Sequence, residues 1–237
     1  MSTRSSIALS RSPAMALAVT TLLGAACADN IKTDFPPGLD PIEAVNLATC
    51  PSTLTDPYPE TLAFHSVTVD QVVRSYACGY IKRPVADVWA AGKVPQSASE
   101  NSITTCSIAL DVEPGYDASW RFHNTKTDVI TVWFEVTWRS GTLPWPTPAG
   151  GPPLPLTVAW RFQKTDGTAY IQLMEGSVKA YEVPGVVPAV TKLEFIRYVN
   201  AARSPPSVVE GGIQNHYDNI LAQLNSTPFT NVICTGP

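Results

Sequence analysis

From residue 104 to residue 199 the chain repeats one pattern, in which apolar and polar residues alternate and turn residues break the runs. The longest run places Ile130, Val132, Phe134, Val136 and Trp138 on one side, with Thr131, Glu135, Thr137 and Arg139 on the other. A period of two puts successive side chains on opposite faces of a strand, so each run is a strand with one face buried. Leu156, Val158, Trp160 and Phe162 repeat the pattern. Residues 104–112, 118–123 and 170–180 read as further strands, and Leu193, Phe195 and Val199 mark the last, where Arg197 is the single charge on the apolar side. Lys164-Thr165-Asp166-Gly167 reads as a hairpin turn, His123 as part of a turn, and the Pro-rich residues 143–155 as a long stiffened loop. So many half-buried strands in succession specify an antiparallel sheet whose apolar face must be covered by another element.

Two helices are available to cover it. Residues 73–82 read as a strand, and Pro84 then opens a short helix with Val85, Val88 and Trp89 on one side and Gly92 at its end. Near the C-terminus Ser204 is a candidate cap and Pro205 or Pro206 sits in the first turn. Val209, Ile213, Tyr217, Ile220 and Leu224 form one stripe at helical spacing. Gly211-Gly212 interrupts the first half of this helix at about 1 kcal/mol per glycine relative to alanine. Such glycines suit a helix that presses its backbone onto a sheet or leaves room beneath it.

The N-terminus reads as an export signal. Arg4 and Arg11 precede the apolar run from Ala14 to Ala26, no acidic residue occurs before Asp29, and the run is too short to span a bilayer. Leu22-Leu23-Gly24-Ala25-Ala26-Cys27 resembles a bacterial lipobox, departing from it at Gly24, where leucine is usual. Ala26-Cys27-Ala28 also fits an ordinary small-x-small cleavage site. Of five cysteines, a lipidated Cys27 leaves Cys50, Cys78, Cys106 and Cys234, an even set suited to two disulfides in an oxidising compartment. Of the three connectivities, the favoured one is Cys50–Cys234, tying the N-terminal segment to the C-terminal tail, with Cys78–Cys106 joining the first two strands. Each bridge contributes about 2–4 kcal/mol.

The organisation expected is a signal peptide over residues 1–26, a Pro-rich tether over 27–60 with a short helix at 42–48, a domain over 61–226 and a tail over 227–237. No segment after the signal approaches the length of a membrane helix, so membrane attachment falls to the lipid. A net charge of -4 gives no basic face for nucleic acid.

A strand, a Pro-initiated helix, a run of antiparallel strands and one long closing helix together resemble the START-like helix-grip superfamily. That group includes polyketide cyclases, plant Bet v-type allergens and lipid-transfer domains. The resemblance is carried by Tyr80-Ile81-Lys82-Arg83-Pro84-Val85-Ala86-Asp87-Val88-Trp89 and by the helix from Pro206 to Asn225. It covers roughly residues 62–226, with a lipocalin-like barrel or another α+β sandwich as the alternative. It implies an α+β fold in which a curved antiparallel sheet grips the long C-terminal helix, with a cavity between them. The cavity wall would comprise Phe134, Trp138, Trp160, Phe162, Tyr170, Met174 and Phe195, residues that equally suit a filled core. Arg197 or Tyr198 would orient the polar end of a ligand.

Catalytic signals are sparse. His65, His123 and His216 have no metal-ligand spacing, although His216, on the closing helix, could face a cavity. There is no Gly-x-Ser-x-Gly elbow, His-Glu-x-x-His helix or phosphate loop. No cofactor or metal is expected. Asn225-Ser226-Thr227 matches a glycosylation triplet, out of place behind a bacterial-type signal. The reading that follows is an exported, lipid-anchored binding protein of the cell envelope, periplasmic or outer-membrane, whose partner is a hydrophobic small molecule or lipid. One alternative is a cyclase or dehydratase using Glu175, Tyr170 and Arg197. Another is an envelope lipoprotein that acts through protein contacts on its outer sheet face.

Overall fold

A computed structural model describes residues 30–100, 102–143 and 157–236. The elements run β1 (Leu62–Val69), β2 (Val72–Ile81), α1 (Val85–Gly92), a 3-10 turn (Pro95–Ala98), β3 (Thr105–Leu110), β4 (Ala118–Thr127), β5 (Thr131–Thr142), β6 (Thr157–Gly167), β7 (Ile171–Glu182), β8 (Thr191–Ala201) and α2 (Pro206–Leu224). The strands form one antiparallel sheet in the order β1-β2-β8-β7-β6-β5-β4-β3. Its inner face holds α2, which packs against β1, β2, β8 and α1. This is the α+β helix-grip architecture that the START-like resemblance implies.

The period-two pattern places the core. Val136, Trp138, Val158, Trp160, Phe162, Val178, Leu193, Phe195 and Val199 all join the inner-face cluster, together with Val209, Ile213, Tyr217 and Ile220 of α2. Fully burying a side chain of this size contributes about 1.5–3 kcal/mol. Glycines set two close approaches. A Cβ on Gly92 would overlap the Trp160 ring, and one on Gly176 would overlap Phe162. The last turn of α1 therefore lies directly on Trp160, whose Nε1 donates to the Gly92 carbonyl at 3.1 Å. Pro84 precedes α1 as its N-cap rather than lying in its first turn.

Several local expectations are corrected. β1 precedes the first strand that the sequence pattern marks, at residue 73, because its side chains are only partly buried and its alternation is correspondingly blurred. His123 lies within β4, across from Glu135, and the β4–β5 turn falls after Thr127. β6 runs on through Lys164-Thr165-Asp166-Gly167, and the turn into β7 comes at 168–170. A register shift at Glu135/Val136 and the backbone of Ile31 and Thr33, which donate to Gly167 and Thr165, hold those polar residues extended. Pro205, not Ser204, is the N-cap of α2 and makes no side-chain cap bond. Most of the Pro-rich loop, the strand's Leu156, the signal segment and Cys27 lie outside the described residues.

The N-terminal segment is also different from a free tether. Residues 42–48 form no helix. Instead, residues 31–50 lie on the outer face of the sheet. Asn46 Nδ2 donates to the carbonyls of Ala77 and Phe195, 3.1 and 2.9 Å away on neighbouring strands. Glu43 accepts hydrogen bonds from the Tyr76 and Tyr198 hydroxyls. Burial and the Glu43 charge push Tyr76 up to about 12, so its phenol stays a donor. A hydrogen-bonded segment of this kind pairs outer-face polar groups that the strands alone leave open.

The disulfide pairing expected from sequence is overturned. The bridges are Cys50–Cys78 and Cys106–Cys234, in place of Cys50–Cys234 and Cys78–Cys106. Five strands, β8, β7, β6, β5 and β4, separate β2 from β3 in the sheet, so Cys78 and Cys106 never meet. Cys50 pins the N-terminal segment to β2. Cys234 pins the tail to β3, where Thr235 forms a parallel bridge with Ser107 and closes that sheet edge.

Candidate functional site

Between the inner face and the first half of α2 lies a cavity of about 380 Å³. Its walls are Val132 and Phe134 of β5, Ile171 and Met174 of β7, Val199 of β8 and Val209 of α2. Strand alternation supplies most of these. The exception is Ile171, which shares the face of Glu175 in a regular strand. A register shift between Ile171 and Leu173 restores Ile171 to the inner side. The rim carries Val129, Ile130, Tyr170 and Val208, all exposed, with the charges of Lys126, Asp128 and Arg203 beside them.

Arg197 closes the inner end. It shares the inner face of β8 with Phe195 and Val199 and is only 7% exposed. Its Nη2 donates to Glu100 Oε1 at 2.8 Å and lies 3.6 Å from Met174 Sδ, while its guanidinium carbon sits 5.5 Å from the Phe162 ring centre. A buried guanidinium requires such a partner, because an unpaired charge there would cost several kcal/mol. Glu100 is held in place through its neighbour Ser99. The Ser99 carbonyl accepts from Asn215 Nδ2 at 2.6 Å and from Asn231 Nδ2 at 3.1 Å. Gln96 ties the same turn to the tail by donating to the Val232 carbonyl and accepting from the Cys234 amide.

Beyond Arg197 is a second void of about 10 Å³, lined among others by Ser99, Trp138, Phe195, Gly212 and His216. His216 is 6% exposed and sits edge-on to Trp138 and Phe195, with ring centres 5.2 and 5.7 Å away. Burial first, and the Arg197 charge second, push its pKa down to about 3, so the imidazole is neutral. His216 Nε2 and Arg197 Nε are both buried without a hydrogen-bond partner among the described residues. The helix approaches closely at this point, since a Cβ on Gly212 would lie 2.5 Å from Arg197 Nη1.

The residues expected to form the wall divide into three groups. Phe134, Tyr170, Met174 and Arg197 line the large cavity, Tyr170 from its rim in the β6–β7 turn. Trp138, Phe162 and Phe195 line the small void, again with Arg197. Trp160 lines neither; it is fully buried against α1, its ring 4.9 Å from that of Trp89. Tyr198 points to the outer face, bonded to Glu43 and Tyr76, so it orients nothing in the cavity. Glu175 also lies on that face, opposite Tyr198 across the ladder, and accepts from Arg161 Nη2 at 2.9 Å. Sequence reasoning missed Glu100, since nothing in a loop carboxylate announces a partner nearly a hundred residues away. Among the described residues, no group of three or more histidine, cysteine or acidic side chains could hold a metal ion.

No family model matches the sequence, and no curated protein matches it. Solved structures similar to the chain include human StAR-related lipid transfer protein 5, at a TM-score of 0.45 and 10% identity over 71% of this chain and 82% of that one. The lipid transfer and protein localization domain of human StarD13 (DLC2) gives 0.43 and 11%, over 81% and 89%. Ara h 8.0201 gives 0.39 and 14%, over 66% and 99%. The helix-grip assignment rests on the strand order and the gripped helix themselves.

Proposed function

We propose that this chain is an exported binding protein that holds a hydrophobic small molecule or lipid between its sheet and C-terminal helix. We further propose that lipidation of Cys27 anchors it to a bacterial cell envelope. The observation that carries the binding reading is the 380 Å³ cavity with its apolar walls and the Arg197–Glu100 ion pair at its inner end. Volumes of 300–1,000 Å³ with a few placed polar groups are typical of small-molecule sites. Covering roughly 200 Å² of apolar ligand surface contributes about 5 kcal/mol before the cost of association. Export draws support from the two disulfides, which persist in oxidising compartments. Among the described residues no helix is long and apolar enough to cross a membrane.

The enzyme alternative loses its acid–base group, because Glu175 faces away from the cavity that Tyr170 and Arg197 line. The protein-contact alternative loses its exposed apolar face, because Tyr76, Ile196 and Tyr198 are buried beneath the N-terminal segment. The test is mass spectrometry of an organic extract from the natively purified protein, paired with binding of the neutral apolar dye N-phenyl-1-naphthylamine. Val132→Trp fills the cavity and is expected to weaken dye binding at least about ten-fold while shifting the melting temperature by no more than a few degrees. Dye affinity unchanged in a folded Val132→Trp protein would remove the cavity from the reading.

A further inference from the structure

The two buried nitrogens at the inner end of the site narrow the class of ligand, an inference that rests on the binding reading above. Among the described residues, the 380 Å³ cavity and the 10 Å³ void share Glu100 and Arg197 in their walls. The ion pair is therefore the partition between them. The smaller void has room for a single oxygen-sized group. Two nitrogens without a hydrogen-bond partner among the described residues belong to side chains that line it, Arg197 Nε, an obligate donor, and His216 Nε2, a donor or an acceptor according to tautomer. Leaving a buried polar atom unpaired is costly, and much of the remaining wall is the apolar side chains of Trp138, Phe162, Val178, Phe195 and Ile213.

We propose that the ligand is an apolar molecule ending in one uncharged oxygen, an alcohol or a carbonyl, which passes the Arg197–Glu100 pair and bonds to Arg197 Nε and His216 Nε2. A carbonyl accepts from both nitrogens. A hydroxyl accepts from Arg197 and donates to, or accepts from, His216. The charge of the terminus follows from Glu100. Its carboxylate already neutralises the guanidinium at 2.8 Å, and both side chains are largely buried. A ligand carboxylate would place a second negative charge on one cation, and either it or Glu100 would stand uncompensated. A neutral oxygen satisfies the nitrogens and leaves the pair intact. Gly212 is part of the same device, since any larger residue would displace the guanidinium from between the two spaces.

The experiment is a displacement series on the purified full chain, using N-phenyl-1-naphthylamine as the reporter and decane, decan-1-ol, 2-decanone and decanoate as competitors at equal chain length. The expected order places decan-1-ol and 2-decanone about ten-fold tighter than decane and decanoate. In His216→Phe, which keeps an aromatic ring at that position, the alcohol and ketone advantage over decane falls to about two-fold or less while the dye still binds. Decanoate binding as tightly as decan-1-ol would overturn the inference, because the ion pair would then open to an anion. Equal binding of all four would overturn it as well, since the inner end would read shape alone. Both outcomes leave the binding reading standing. Failure of the wild-type protein to bind the dye or any competitor removes the binding reading itself. The wild-type order decides the matter even if His216→Phe does not fold.

Discussion

Gly211 and Gly212 are neighbours in α2 with opposite environments, and alanine at each is expected to change stability with opposite sign. A Cβ added at Gly211 meets nothing within 4 Å, so Gly211→Ala gains only helix propensity, about 0.5–1 kcal/mol. At Gly212 the same atom would lie 2.5 Å from Arg197 Nη1 and 2.9 Å from its Cζ. An arginine terminus often swings aside cheaply, but this one is held by Glu100 at 2.8 Å, beside Met174 and the Phe162 ring. Overpacking typically costs about 1–3 kcal/mol. Set against about 1 kcal/mol of propensity, this leaves Gly212→Ala about 1 kcal/mol less stable than wild type, at the middle of that range. The two variants should differ by about 2 kcal/mol, or roughly 4–8 °C in melting temperature for a chain of this size. Thermal unfolding followed by circular dichroism under non-reducing conditions measures that gap. In an Arg197→Met background the Gly212 penalty should disappear, a coupling that a double-mutant cycle reads directly. A Gly212→Ala protein as stable as Gly211→Ala would refute the reasoning, because Arg197 would then be free to move and would not be a fixed wall of the site.

Other consequences of the geometry are open to measurement. Non-reducing peptide mapping should recover Cys50 with Cys78 and Cys106 with Cys234. Their sequence separations of 28 and 128 make replacement of the Cys106 pair by serine about 1 kcal/mol more costly than replacement of the Cys50 pair in the chain-entropy account. His216 carries an acid-sensitive contribution of definite sign. The unfolded imidazole takes a proton near its ordinary value of 6.5, and the folded one resists until about 3. Protonation therefore favours the unfolded chain in that window, and stability attributable to His216 is intact above 6.5 and falls by up to about 1.4 kcal/mol per pH unit as pH drops toward 3. Denaturant melts of wild type and His216→Phe between pH 6.5 and 4 should show a shallower fall in the variant, and parallel curves would contradict the assignment. At pH 7 His216→Phe should be close to neutral, because it removes the unpaired nitrogen and keeps the ring.

The parts of the fold that are legible without coordinates are those in which one residue's role repeats its neighbour's. Val132, Phe134, Val136 and Trp138 point inward because the strand period is two, and Val209, Ile213, Tyr217 and Ile220 do so because the helical stripe faces the sheet. Wherever that regularity is broken the reading slips. The register shift at Ile171 moved one residue into the cavity, the shift at Glu135/Val136 accompanied a turn displaced by a few residues, and a polar sequence stayed extended because Ile31 and Thr33 pair with it. Of the cavity residues, Phe134 and Met174 follow from alternation alone. Glu100 does not, since it reaches Arg197 only after the 3-10 turn has been pinned between α2 and the tail.

The amino-acid sequence by itself determined the antiparallel strands, the inward face of the central ones and the closing helix, because periodicity and turn chemistry act over a few residues. The tertiary structure alone decided which cysteines meet, which aromatics pack solidly and which border open space, and how Arg197 is neutralised. Each of these depends on how elements distant in sequence come together. Cys78 and Cys106 are separated by five intervening strands of the sheet, and Arg197 finds its carboxylate 97 residues away.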